Sequence, residues 1–209
     1  MLTEKITAMT MKITPIDIYQ NFSDFLKRFL PLSSEIEQRI LSIAEPIRVK
    51  KGKHLLREGE VNEYFYFMQS GAAYIYFDKG NKRVATWLSM DTDMLTTINT
   101  IRGPQPAKEN LEMLEDGVLL RIHYDDMQRL YDESKEFERL GRLMISYYFG
   151  VMNNKLHQSY FLTAKERYEN LIERYPEVNY RIPLGIVASY LGISQETLSR
   201  IRNPKYGRK

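Results

Sequence analysis

The sequence predicts an α+β fold: an amino-terminal antiparallel β-roll, jelly-roll-like, with flanking helices, then one long helix and a small all-helical carboxy-terminal domain. Three observations predict it. Between Ile47 and Ile122, short segments rich in β-branched and aromatic residues alternate with turn signals at Lys51-Gly52, Glu58-Gly59, Ser70-Gly71, Lys79-Gly80 and Asp116-Gly117. After Tyr124, apolar residues return to helical spacings of three and four. Near the end, two short helical patterns flank Gly192.

Composition narrows the function classes. The 209 residues are 43% hydrophobic and 27% charged, as in a globular protein with a sizeable core. No apolar run approaches the roughly 20 residues of a membrane span. Met1-Leu-Thr-Glu-Lys-Ile-Thr lacks a signal-peptide core, so a cytoplasmic protein without a membrane partner is expected. Zero cysteines exclude disulfides, thiolate nucleophiles and cysteine-ligated metals. His54, His123 and His157 stand apart, with no HxH or HExxH spacing, so no metal, cofactor or catalytic residue is assigned. A cupin-like enzyme would need clustered histidines and carboxylates, so a non-enzymatic protein is expected.

The elements follow in order. Residues 15–45 read as helix, with Ile18, Phe22, Phe25, Leu26 and Phe29 on one face before Pro31 interrupts. Ser33 or Ser34 then caps a second helix carrying Ile36, Ile40 and Ile43. Tyr64-Phe-Tyr-Phe-Met and Ala73-Tyr-Ile-Tyr-Phe flank the Ser70-Gly71 turn, and Arg83-Val-Ala-Thr-Trp-Leu follows Asp78-Lys-Gly-Asn. Leu111-Glu-Met-Leu-Glu and Val118-Leu-Leu-Arg-Ile read as a further hairpin around Asp116-Gly117. Strands at this density suggest a jelly roll or related barrel whose aromatics fill the core rather than line a ligand pocket.

Residues 134–157 form one long candidate helix, with Phe137, Leu140, Met144, Tyr147, Val151 and Asn154 as a seam suited to a dimer interface. A helix packed against its own domain carries a similar pattern.

The carboxy-terminal stretch reads as a helix-turn-helix. Val187, Ala188 and Leu191 lie on the first helix, Gly192 supplies the positive φ of the turn, and Ile193, Leu198 and Ile201 pack back. Ser194 caps the second helix, with Glu196 in its first turn, and Asn203-Pro204 ends it. Gln195, Glu196, Ser199, Arg200 and Asn203 then face outward. Arg suits guanine O6 and N7, Glu cytosine N4, and Gln adenine N6 and N7. Arg200, Arg202, Lys205, Arg208 and Lys209 supply cations for phosphates. Residues 159–209 hold nine Lys/Arg against five Asp/Glu, whereas residues 1–158 hold 21 against 22. The positive charge is thus concentrated where DNA contact is expected.

This order of β-roll, long helix and helix-turn-helix resembles the Crp/Fnr family of bacterial transcription regulators from about residue 20 to residue 203. The most specific pieces are Lys51-Gly-Lys-His-Leu-Leu-Arg-Glu-Gly-Glu60, the expected hairpin ending at Gly71, and Ser194-Gln-Glu-Thr-Leu-Ser-Arg200. The resemblance implies a β-roll effector domain over 1–133, a dimerisation helix over 134–158 and a DNA-binding domain over 159–209 without a full wing. It further implies a homodimer on a pseudo-palindromic operator in double-stranded DNA, with RNA polymerase as a partner. Glu196 and Arg200 match the family's base-reading glutamate and arginine, and Gln195 stands where many members have arginine.

The nucleotide cassette departs from the family. Thr96-Thr97-Ile98 replaces Gly-Glu-Leu, and Ala107-Lys108 replaces the Arg-Ser that grips a cyclic phosphate. The effector is therefore expected not to be cyclic AMP, with Thr96, Thr97, Arg102 and Lys108 lining whatever pocket remains. The alternative reading is an interaction protein that retains the roll and dimer helix without reading DNA.

Overall fold

A computed structural model describes residues 15–97 and 105–203. Two helices open it, α1 (Pro15–Lys27) and α2 (Ser34–Ile43), the second capped by the Ser33 hydroxyl, which accepts from the Ile36 N–H. Eight strands follow: β1 (Glu45–Val49), β2 (His54–Leu56), β3 (Tyr64–Ser70), β4 (Ala73–Lys79), β5 (Lys82–Ser89), β6 (Asp93–Leu95), β7 (Asn110–Met113) and β8 (Gly117–His123). They form two antiparallel sheets ordered β1-β8-β3-β6 and β2-β7-β4-β5. Then come α3 (Tyr124–Glu133), α4 (Lys135–Phe161), α5 (Ala164–Arg174), α6 (Val178–Arg181), α7 (Leu184–Leu191) and α8 (Gln195–Arg202). The α+β class and the β-roll with flanking helices are as the sequence predicts.

Two hairpin expectations need correction. β3 and β4 flank Ser70-Gly71 but lie in different sheets, as do β7 and β8 around Asp116-Gly117. Each turn carries the chain across the roll. The two crossings press together: a Cβ on Gly117 would sit 2.7 Å from Ser70 O, and one on Gly71 would sit 3.0 Å from Gly117 Cα. The β4–β5 hairpin around Gly80 forms as expected, pairing Lys79 with Lys82.

Aromatic strands serve three apolar layers. Leu56, Tyr66, Met68, Ile75, Leu95, Leu111, Met113 and Leu119 fill the space between the sheets. Phe65 and Phe67 face outward under α1, α2, α3 and the start of α4, meeting Phe22, Ile40, Leu130 and Phe137. Tyr74 and Tyr76 face outward on the other sheet, in one cluster with Leu88 of β5 and with Leu171, Val187, Ala188 and Leu198 of the carboxy-terminal helices. The roll is therefore covered on both faces, and the last helices share a core with it. None of the helices among the described residues is long and apolar enough to cross a membrane.

Candidate nucleic-acid interface

The α7–α8 pair is built as its residue types require. Gly192 sits at φ +69, donating to Ser189 O, while Ile193 donates to Ala188 O, a left-handed helix ending that a Cβ would strain. Ser194 accepts the Thr197 N–H at 3.2 Å and so caps α8. Leu198 is 0% exposed, and Val187, Ala188 and Leu191 are buried beneath it. Ser194, Gln195, Glu196, Ser199, Arg200, Arg202 and Asn203 are all exposed, whereas Lys205 lies outside the described residues. The Ser194 hydroxyl, then Glu196's own amide and Arg200, hold the Glu196 carboxyl below its ordinary range, keeping it an acceptor.

One contact had no signal in the sequence pattern. A Cβ on Gly185 would lie 2.9 Å from Gln195 Nε2, so the Gln195 side chain folds back over the start of α7. Gly185 leaves the space it occupies.

Helix α4 divides the expected dimer seam. Phe137 and Leu140 are each 1% exposed within the core of their own roll, and Met144 packs against the same cluster. Phe137 and Leu140 are not open to a second copy, which corrects the expectation for those two positions, and Met144 is half-buried. Tyr147 is half exposed, with its ring centroid 5.4 Å from that of Phe29, Val151 is half-buried and Asn154 is exposed. The face that stays open carries Ile145, Phe149, Met152, Leu156 and Tyr160, with Phe149 70% exposed. Their spacing of four, three, four and four repeats the expected seam two residues earlier along the chain, on the nearly opposite side of the helix.

The expected effector residues differ in their surroundings. Thr97 is 2% exposed, the Thr96 hydroxyl is buried without a hydrogen-bond partner, Lys108 is exposed, and Arg102 lies outside the described residues. The buried titratable group in this segment is Glu109, which the sequence pattern did not single out. Burial pushes its carboxyl up, opposed by the Lys108 and Glu109 N–H groups and the Thr97 hydroxyl.

Elsewhere on the roll, His54 Nε2 lies 3.0 Å from Tyr76 Oη and 3.3 Å from Glu112, which also takes Arg83. No group of three or more metal-ligating side chains occurs among the described residues.

Against known proteins, residues 46–134 match the family model of the cyclic nucleotide-binding domain. The β-roll is of that type. No curated protein matches the chain by sequence. Solved structures resemble it in fold. The c-di-GMP-responsive global regulator CLP of Xanthomonas campestris has TM-score 0.64 and 14% identity over 84% of this chain and 92% of that one. FixK2 of Bradyrhizobium japonicum has TM-score 0.67 and 16% identity over 79% and 85%. The catabolite activator protein of Thermus thermophilus has TM-score 0.54 and 16% identity over 88% and 87%. These matches span the cyclic nucleotide-binding-type roll and much of the helical region, and at such identities they define fold alone.

Proposed function

We propose that this protein is a sequence-specific, DNA-binding transcription regulator of the Crp/Fnr type that acts as a homodimer and is not controlled by cyclic AMP. The observation that carries the reading is α8: a capped helix, seated by Leu198, whose outward face presents Glu196, Ser199 and Arg200, with exposed Gln195 turned back over α7 and Arg202 and Asn203 at its end. Glu196 and Arg200 read bases, while Ser194, Arg202, Asn203 and Lys205 hold the backbone. RNA polymerase is the expected partner of the DNA-bound form.

The dimer forms along α4 through Ile145, Phe149, Met152, Leu156 and Tyr160. The helix runs to Phe161, and the DNA-binding unit proposed over residues 159–209 takes in its last residues and the helices that follow. Buried Glu109 and exposed Lys108 support an effector other than a cyclic phosphate monoester.

The test is selection of bound duplexes from a random DNA pool at near-physiological salt. The expected result is a motif of two half-sites about 34–36 Å apart, one helical turn. Enrichment of nothing by a folded, dimeric protein would sink the reading in favour of an interaction protein.

A further inference from the structure

Gly185 is the second residue of α7 and has an ordinary helical backbone, so no left-handed turn calls for a glycine there. In a helix, glycine is less favourable than alanine. What it supplies is room. The three nearest heavy atoms that a Cβ would meet all belong to the end of the Gln195 side chain: Nε2 at 2.9 Å, Cδ at 3.4 Å and Oε1 at 3.9 Å. The whole terminal amide of Gln195 therefore lies over the first turn of α7.

Gln195 opens α8, directly after the Ser194 cap. Glu196, Ser199 and Arg200 lie at spacings of three and four on one exposed face. A glutamine reads adenine with both ends of its amide, the oxygen accepting from N6 and the nitrogen donating to N7. One amide cannot do that while it is packed on α7. To swing outward it gives up that packing and opens a gap over Gly185, so α7 competes with a base for the same group.

We propose that Gly185 determines specificity by giving the Gln195 amide a seat away from the bases, so that α8 reads its half-site through Glu196 and Arg200 and ignores the base pair that Gln195 would otherwise reach. The assignment rests on the DNA-binding reading above. A Cβ at position 185 would push against the end of a flexible side chain and not against backbone. Gly185→Ala therefore turns the amide out while α7 stays in place.

The test is selection from a random duplex pool by wild type, Gln195→Ala, Gly185→Ala and the double variant, with an NMR measurement on the free proteins. Gln195→Ala is expected to select the wild-type motif. Gly185→Ala is expected to add a preference of about tenfold for an A·T pair at one further position per half-site, which the double variant loses. In the free wild type, a nuclear Overhauser contact is expected between the Gln195 side-chain amide and the Gly185 Hα protons. A wild-type motif that Gln195→Ala relaxes, or a Gly185→Ala motif identical to wild type, overturns the assignment and leaves the DNA reading intact. If Gly185→Ala does not fold, the other two results decide, and a relaxed Gln195→Ala motif or a missing Overhauser contact overturns it. No motif from the wild type sinks the DNA reading and the assignment with it.

Discussion

Lys155 reaches from α4 to the bulged edge strand β5, with Nζ 2.5 Å from Thr86 O and 3.5 Å from the Tyr190 ring centroid. Burial, and then the Arg174 charge, push its ammonium down to about 7, well below the usual lysine range. In the unfolded chain it stays protonated up to its ordinary 10.5, so across that window the unfolded state binds the extra proton. Stability contributed by this site therefore rises as pH climbs from 7 towards 10.5, by about 1.4 kcal/mol per pH unit at most. Below 7 both states are protonated and the penalty is constant. Denaturant melts at pH 7 and pH 9.5 should show this rise in the wild type and a flatter response in Lys155→Met. Arg200, exposed on α8, is the base-reading residue of the proposed function. Arg200→Ala should cost about 1–3 kcal/mol of binding and relax preference at one base pair in a selection experiment. If the selected motif keeps its full preference, α8 does not read bases through Arg200.

At the scale of elements, α4 carries two apolar stripes on nearly opposite sides. The inner one, with Phe137 and Leu140, completes the core of its own roll, and the outer one, with Phe149, Met152 and Leu156, is open. Phe137→Ala should therefore destabilise the protein by about 3–5 kcal/mol in thermal or urea unfolding. Phe149→Glu should leave that unfolding curve nearly in place for the protomer and shift sedimentation from dimer to monomer. An unchanged dimer would move the interface off this face. Helix α8 depends on its cap, and Ser194→Ala should cost about 1 kcal/mol, read as faster exchange at the first turn of α8.

In the molecule as a whole, the carboxy-terminal helices are part of the roll's packing, since Leu171, Val187, Ala188 and Leu198 cover Tyr74, Tyr76 and Leu88. Ending the chain after Phe161 uncovers that face of β4 and β5 and the free edge that Ser189 satisfies. The shortened protein is expected to melt lower and to self-associate in light scattering. A shortened roll as stable and dispersed as the parent would show that the shared cluster adds little.

Local interactions made much of this legible in the residues themselves. The positive φ at Gly192 and the cap at Ser194 involve neighbours within a few positions, so their residue types suffice to place them. Helix periodicity marked α1, α2 and α4, and the turn signals marked the strands, because both patterns are set along the chain. What the tertiary structure decided was everything that depends on which surfaces meet. Phe65–Met68 of β3 and Ala73–Tyr76 of β4 are buried on both faces, so no polar alternation records their partners, and the turn at Gly71 crosses between sheets instead of pairing them. Two stripes on α4 satisfy the same spacing, and only docking on the roll chooses which one is left for a partner. Glu109 lies inside and Lys108 outside because of where β7 enters its sheet, and Arg181 finds Asp91 across 90 residues of chain. Spacing along a chain encodes periodic faces, whereas long-range contacts are chosen by packing the entire core at once.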